Sequence, residues 1–314
     1  MRPTPVLLIA YNRPEKLERL VTALRKLAPP LVYIVIDGPK SWIDGDTARV
    51  EAVRAVAEHV DWGATVHTRF RETNVGLRRS VADAVSWVTG DHGDVIVIED
   101  DVVPGPHVLD YLSHMLERYR DDPRVAHISG YNVVPPEVFE GRVGSRLSAY
   151  PESFIWATWD RAWRMYDDTL AWPRDSTDVA ALRRVVRSPW AALRWRQNFA
   201  DARADRISSW AYRWIASMWS RDALVVNPDV NLATYIGLDE GTHTVMTPRW
   251  RDLPLYDGPL EPLLAPASEP VAAAERWISR VVFSGTPWGV ARGFAISLAL
   301  GLRKSRRTRL RPRS

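Results

Sequence analysis

Residues 95–107 read VIVIEDDVVPGPH. Val95 to Ile98 form an unbroken apolar run of strand length. A strand without polar alternation is covered on both faces, as in the middle of a parallel sheet. The run ends in Glu99, Asp100 and Asp101. Adjacent carboxylates repel one another, and withdrawing them from water without a counter-charge is costly. Two readings follow. The triplet is an acidic surface turn, or it holds a hard divalent cation, Mg²⁺ or Mn²⁺, which prefers oxygen ligands and shares them with substrate phosphates. The apolar run points to a central strand and so favours the cation, because ligands in open α/β sheets gather beyond the carboxyl ends of the strands.

Toward the N-terminus the same pattern repeats. Val6–Ala10 reads as a first strand, followed by Tyr11, Asn12, Arg13 and Pro14, the last suited to the first turn of a helix. Leu17, Leu20, Val21, Leu24 and Leu27 recur at helical spacing. Val32–Ile36 is a second strand ending in Asp37-Gly38, and Val50, Val53, Ala57 and Val60 mark a second helix capped by Asp44 or Asp46. Thr65–Arg69 reads as a weaker strand, Glu72–Gly76 as a turn, and Leu77, Val81, Ala84, Val85 and Val88 as a third helix. Beyond the acidic triplet come a fourth helix, on Val108, Leu112, Met115, Leu116 and Tyr119, and a strand at Val125–Ser129. This alternation predicts an α/β fold with a parallel sheet and right-handed crossovers up to about residue 130. No G-x-G-x-x-G follows the first strand, and G-x-x-x-x-G-K-[ST] and G-x-S-x-G are both missing. That disfavours a dinucleotide site, a P-loop NTPase and a hydrolase elbow.

Composition narrows the function further. The 314 residues are 46% hydrophobic and 25% charged, an ordinary globular balance. With no cysteine, disulfides, thiolate zinc sites and cysteine nucleophiles are excluded, and a reducing, cytoplasmic location is expected. The Val6–Ala10 run is too short for a signal-peptide core, and no run of about 18 apolar residues suggests a spanning helix. The net charge of +4 misleads: the segment 303–313, RKSRRTRLRPR, holds seven cations, and without them the chain stands at −3. Basicity confined to a tail is not a nucleic-acid footprint, so no nucleic-acid partner is expected. Ten of the fifteen tryptophans lie between 156 and 250. Spacings such as Trp156/Trp159/Trp163 and Trp210/Trp214 read mostly as helix core, with one or two rings left to line a pocket for a sugar face.

Taken together, the strand ends resemble the nucleotide-sugar half of GT-A (Rossmann-like) glycosyltransferases, most of all the family 2 type. The motifs are Tyr11-Asn12-Arg13, Asp37, Asn74-Val75-Gly76 and Glu99-Asp100-Asp101. The acidic segment with its following Val-Val-Pro-Gly-Pro also resembles that of the animal N-acetylglucosaminyltransferase that starts complex N-glycans. Further on, Phe154–Asp160, Ser209–Trp214, Asn231-Leu232 and Gly241-Thr242-His243-Thr244 are similar to bacterial family-2-like proteins. The resemblance implies a mostly parallel sheet flanked by helices, a Trp-rich acceptor side and a C-terminal helical tail. It implies a nucleotide-sugar-binding half at 1–130, an acceptor-binding, catalytic half at 131–250, and a linker, amphipathic helix and basic tail at 251–314. The implied partners are a nucleoside-diphosphate sugar and a glycan, lipid or natural-product acceptor, as in cell-envelope polysaccharide synthesis.

Residue by residue, Asn12 and Arg13 would lie beside the nucleotide, and Asp37 would bond its base or ribose. Asn74 and Gly76 would approach it at a loop where a side chain at 76 would be in the way, and Arg78 or Arg79 would meet the diphosphate. Asp101 would bind Mn²⁺ or Mg²⁺, with Glu99 or Asp100 on the ribose or a metal-bound water, and His243 would serve the metal or diphosphate. An inverting transferase needs a base for the acceptor hydroxyl. Asp160 is the first candidate, Glu152 the second, and Asp239 or Glu240 the third; an ion pair of Asp160 with Arg161 or Arg164 is the structural alternative. Relatives carry an acid where Ala211 stands, so a non-catalytic GT-A-like binding protein stays open beside the transferase. A sugar-nucleotidylyltransferase is disfavoured because residues 6–16 contain no glycine. Finally, the apolar stretch before the basic run predicts that residues 281–314 meet an anionic membrane surface, on its inner face. The alternative is a docked terminal helix with a disordered end.

Overall fold

The computed structural model describes residues 3–237 and 253–297. The chain divides into two compact units, Met1–Arg164 with Leu224–Val271, and Met165–Ala223 with Ala272–Ser314.

The first unit is built on an eight-stranded sheet. Its parallel half runs β1 (Val6–Ala10), β2 (Leu31–Ile36), β3 (Thr65–Phe70) and β4 (Asp94–Glu99). β1 lies between β2 and β4, with Ala10 opposite Ile36 and Ile9 opposite Glu99. The helices α1 (Pro14–Leu27), α2 (Asp46–Ala57) and α3 (Leu77–His92) connect these strands, and α4 (Val108–Arg118) follows a short strand β5 (Val102–Pro104). The apolar runs are buried end to end in β1 and from Val95 to Ile98 in β4, as strands covered on both faces require.

Sequence alternation predicts parallel neighbours up to about residue 130; the structure departs from it beyond β4. β6 (Val125–Ser129) does not pair with β4, because β8 (Ile155–Trp159) lies between them, antiparallel to both. β9 (Leu224–Pro228) then runs parallel to β6, and β7 (Ser145–Ser148) closes the edge antiparallel to it. Trp156 and Trp159 are therefore strand residues, not helix core, and Trp163 ends the short helix α5 (Asp160–Trp163). β10 (Ala233–Tyr235) pairs with β5 in a separate two-stranded ribbon. Neither Asp44 nor Asp46 caps α2: Gly45 takes the N-cap position at φ 72°, and Asp46 is the first helical residue.

The second unit is helical: α6 (Ser176–Val186), α7 (Pro189–Arg203), α8 (Trp210–Trp219), α9 (Ala272–Trp277) and a helix at 287–297. The ring of Trp195 meets Phe199, Tyr212, Trp219 and Phe283. Trp210 and Trp214 are buried on α8, so the helix-core reading holds for that pair. Buried Arg213 is satisfied by the carbonyls of Asp168, Ser209 and Ala202. Among the described residues, no helix is long and apolar enough to cross a membrane.

Candidate active site

Parallel strands deliver their C-terminal ends to one edge, and the acidic triplet leaves β4 there. The Asp100 N–H donates to the Ile9 carbonyl at 3.1 Å, which fixes the triplet beside the end of β1. The ribbon braces the other side: the Ile236 N–H donates to the Asp101 carbonyl at 2.8 Å. From the loop after β1, Arg13 reaches both acids, donating to Asp100 Oδ1 at 2.5 Å and standing 3.6 Å from Asp101 Oδ2. Asp100 is 2% exposed, and its Oδ2 has no hydrogen-bond partner among the described residues. Burial pushes its carboxyl up to about 6, against the opposing pull of Arg13. Burial would lower the Arg13 guanidinium, but Asp100, Asp101 and Glu99 together hold it above its ordinary value.

At the end of β2 a second carboxylate does different work. Asp37 accepts from the Gly38, Val75 and Gly76 N–H groups, each at 2.9 Å. Asn74 Nδ2 returns a bond to the Gly38 carbonyl, also at 2.9 Å. These bonds clamp the turn before α3 against the end of β2. The glycines fit for separate reasons. A Cβ on Gly38 would come within 2.3–2.6 Å of the Thr73 backbone. Gly76 meets no crowding from the protein; it sits at φ 84°, ψ 152°, a region essentially confined to glycine. Backbone conformation is thus one requirement for glycine at 76, beside the close approach of a nucleotide that the sequence leads one to expect there. Arg78 lies in the first turn of α3, and Arg79 is exposed beside it.

Asn12 is committed to Asp46, donating to its Oδ1 at 2.6 Å, while the Tyr11 hydroxyl and the Lys40 N–H take Oδ2. Burial would raise the Asp46 carboxyl, but bonds from Tyr11, Lys40, Asn12 and Arg49 more than offset it and hold it at about 2. Asp46 thus ties the end of β1 to the loop after β2. Sequence reading took it only for a cap, because partners some 35 residues apart leave no local spacing signal.

The register of β8 separates the two leading candidates for the base. Ile155 stands opposite Ile98, so residues 150–154 lie on the edge with the acidic triplet. Glu152 is buried there, its N–H bonded to Ser129 Oγ at 3.0 Å. Trp159 stands opposite Asp94, and the Asp160 N–H donates to the Gly93 carbonyl. Asp160 is therefore at the opposite end of β4 from the acidic triplet, paired with Arg164 at 2.6 Å. The expectation that Asp160 takes the acceptor proton is corrected on that ground. Ala211 is in the first turn of α8, in the second unit. His243, Asp239 and Glu240 lie outside the described residues.

Sequence reading also missed an aromatic group on this edge. The Phe154 ring stands 4.8 Å from Tyr131 and 4.9 Å from Tyr235, and Tyr235 pairs with Val102 just past the triplet. Gly237 lies over Asp101, where a Cβ would come within 2.9 Å of Oδ2.

The model of glycosyl transferase family 2 matches residues 6–179, more than half of the chain. The chain belongs to glycosyl transferase family 2. No curated protein matches it. The mostly parallel sheet with flanking helices is the GT-A fold, and the family supplies the reaction class, transfer of a sugar from a nucleotide-sugar donor to an acceptor.

GT-A enzymes of this family commonly use a divalent metal. The donor set here is consistent with one: Asp101 and Asp100 are hard oxygen ligands, and Asp100 Oδ2 is a buried oxygen with no hydrogen-bond partner among the described residues. Among the described residues no group of three or more acidic or histidine side chains is arranged to hold an ion.

Proposed function

We propose that this family 2 glycosyltransferase moves a sugar from a nucleoside-diphosphate donor to a hydroxyl of a glycan, lipid or small-molecule acceptor, with inversion at the anomeric carbon. The observation that carries the proposal is the incompletely satisfied Arg13–Asp100–Asp101 cluster on the ligand-binding edge of β1 and β4. Asp101 and Asp100 would hold Mn²⁺ or Mg²⁺, which neutralises charge on the diphosphate leaving group. Glu99 bonds the ribose or a metal-bound water. Asn12, Arg13, Asp37 and Asn74 shape the nucleotide pocket; Asn12 and Asp37 do so by holding its walls, and Gly76 by opening the α3 N-terminus. Arg78 and the N–H groups of that terminus favour the diphosphate. His243 is a further group for the metal or diphosphate.

In the transfer, the acceptor oxygen forms its bond to the anomeric carbon as the bond to the diphosphate oxygen breaks, and the electron pair leaves with the diphosphate. The acceptor proton passes to a carboxylate, for which Glu152 is the candidate on the correct edge. Phe154 and Tyr235 offer apolar ring faces for a sugar. A cytoplasmic enzyme at the inner face of a membrane would meet lipid-linked acceptors.

Donor turnover tests this reading. UDP-, GDP- and dTDP-sugars with Mn²⁺ should include one that the protein hydrolyses slowly without acceptor. Glu152→Gln should lower acceptor-dependent transfer about a hundredfold while leaving donor affinity in place. The reading of a binding protein without activity, which Ala211 keeps open, requires that every donor bind or fail to bind with no turnover at all.

A further inference from the structure

The helix at 287–297 turns its three largest apolar residues outward. A helix on a globular surface normally buries its bulky apolar residues and shows its small and polar ones. Here Gly289 and Gly293 are buried and Ser297 is bonded to buried Asp201, one face at a spacing of four residues. A Cβ on Gly293 would come within 2.3 Å of Gln197 Oε1 and 2.5 Å of Arg194 Nη1, so this face lies close against α7. Val290 is buried beside the glycines, but the three larger apolar side chains point away: Trp288 is 78% exposed, Phe294 61% and Ile296 46%. On α7, Trp190 and Leu193 flank Ala191 and Arg194, which face this segment, and both are exposed as well. Arg292 is exposed among the outward-facing residues.

The sequence identifies what covers this face. Residues 298–302 read LALGL, and the seven cations of 303–313 follow at once. An apolar face with Trp and Phe, edged by arginine and followed by a cation cluster, is the pattern of a helix lying in the interface of an anionic bilayer. A second copy of the chain would bring the same cations against their like. We infer that Trp288, Phe294 and Ile296, with Trp190 and Leu193, form a docking surface for an anionic lipid membrane. The inference does not depend on the transferase reading.

Vesicle flotation with the full chain tests it. The protein should float with phosphatidylcholine vesicles containing phosphatidylglycerol, stay behind with phosphatidylcholine alone, and lose recovery as salt rises. The double change Trp288→Ser, Phe294→Ser touches only exposed side chains and should lower the partition coefficient about tenfold or more. Arg306→Ser with Arg307→Ser should weaken binding to the anionic vesicles alone. Donor-induced thermal stabilisation, measured on the same variants, should be unchanged. Failure of the full chain to float, or equal flotation of the Trp288/Phe294 variant, would overturn the inference. So would a dimer in light scattering that this variant converts to monomer without any vesicle binding, since the face would then belong to a second copy.

Discussion

Asp37 and Asp100 follow β2 and β4, the two strands that flank β1, and both are buried. Asp37 is matched by three backbone N–H groups, and its neighbourhood reads as finished scaffold. Asp100 has one oxygen on Arg13 and the other without a hydrogen-bond partner among the described residues, beside a second carboxylate. Native interiors seldom leave buried polar atoms in that condition. Full satisfaction marks what holds the site's shape, and incomplete satisfaction marks where a ligand completes it. Substitutions in the two neighbourhoods should therefore separate cleanly, one set acting on activity and the other on stability.

The largest effect is expected at the unfinished cluster. Asp101→Asn should lower glycosyl transfer by about a thousandfold, measured as initial rate at saturating donor, with little change in melting temperature. Next comes a pH effect from the interior of the same sheet. His127 is fully buried, stacked on Trp156 with ring centroids 4.9 Å apart, and burial pulls it down to about 3. The unfolded chain binds this proton first, so the contribution is complete above about pH 6.5 and is lost as pH falls toward 3. The loss is on the order of 5 kcal/mol across that window, and His127→Phe should flatten that part of a stability-versus-pH curve from urea melts. At the finished clamp, Asp37→Ala leaves three N–H groups without their acceptor and should cost about 3 kcal/mol of unfolding free energy. Gly76→Ala at φ 84° should cost about 1–2 kcal/mol in the same assay, the smallest change of the four. A Gly76→Ala protein as stable as the parent would mean that the turn before α3 is not held in that conformation.

The contrast also explains which parts of the molecule could be read from the sequence. VLLIA, VYIVI and VIVI announce buried strands because nothing polar interrupts them, and all three lie where they were expected. The acidic triplet was legible for the same reason: its position after such a run is a local fact. β8 was not, because IWATW is short and its Trp spacing also suits a helix, so only pairing with β4 and β6 decides it. With β8 unseen, Asp160 could not be assigned to the far edge. Asp46 went unrecognised because Tyr11, Asn12 and Lys40 meet it only through the fold. The stretch before the basic tail was read as amphipathic, yet only the contacts of Gly293 and Ser297 with α7 reveal which face turns inward.

Donor binding followed by thermal shift, with and without Mn²⁺, in the parent chain and in Asp101→Asn, tests the central claim most directly. The account predicts a nucleotide sugar that stabilises the parent by about 2.7 kcal/mol at a hundred times its dissociation constant, only when Mn²⁺ is present, and does not stabilise the variant. Equal, metal-independent stabilisation of parent and variant would contradict it.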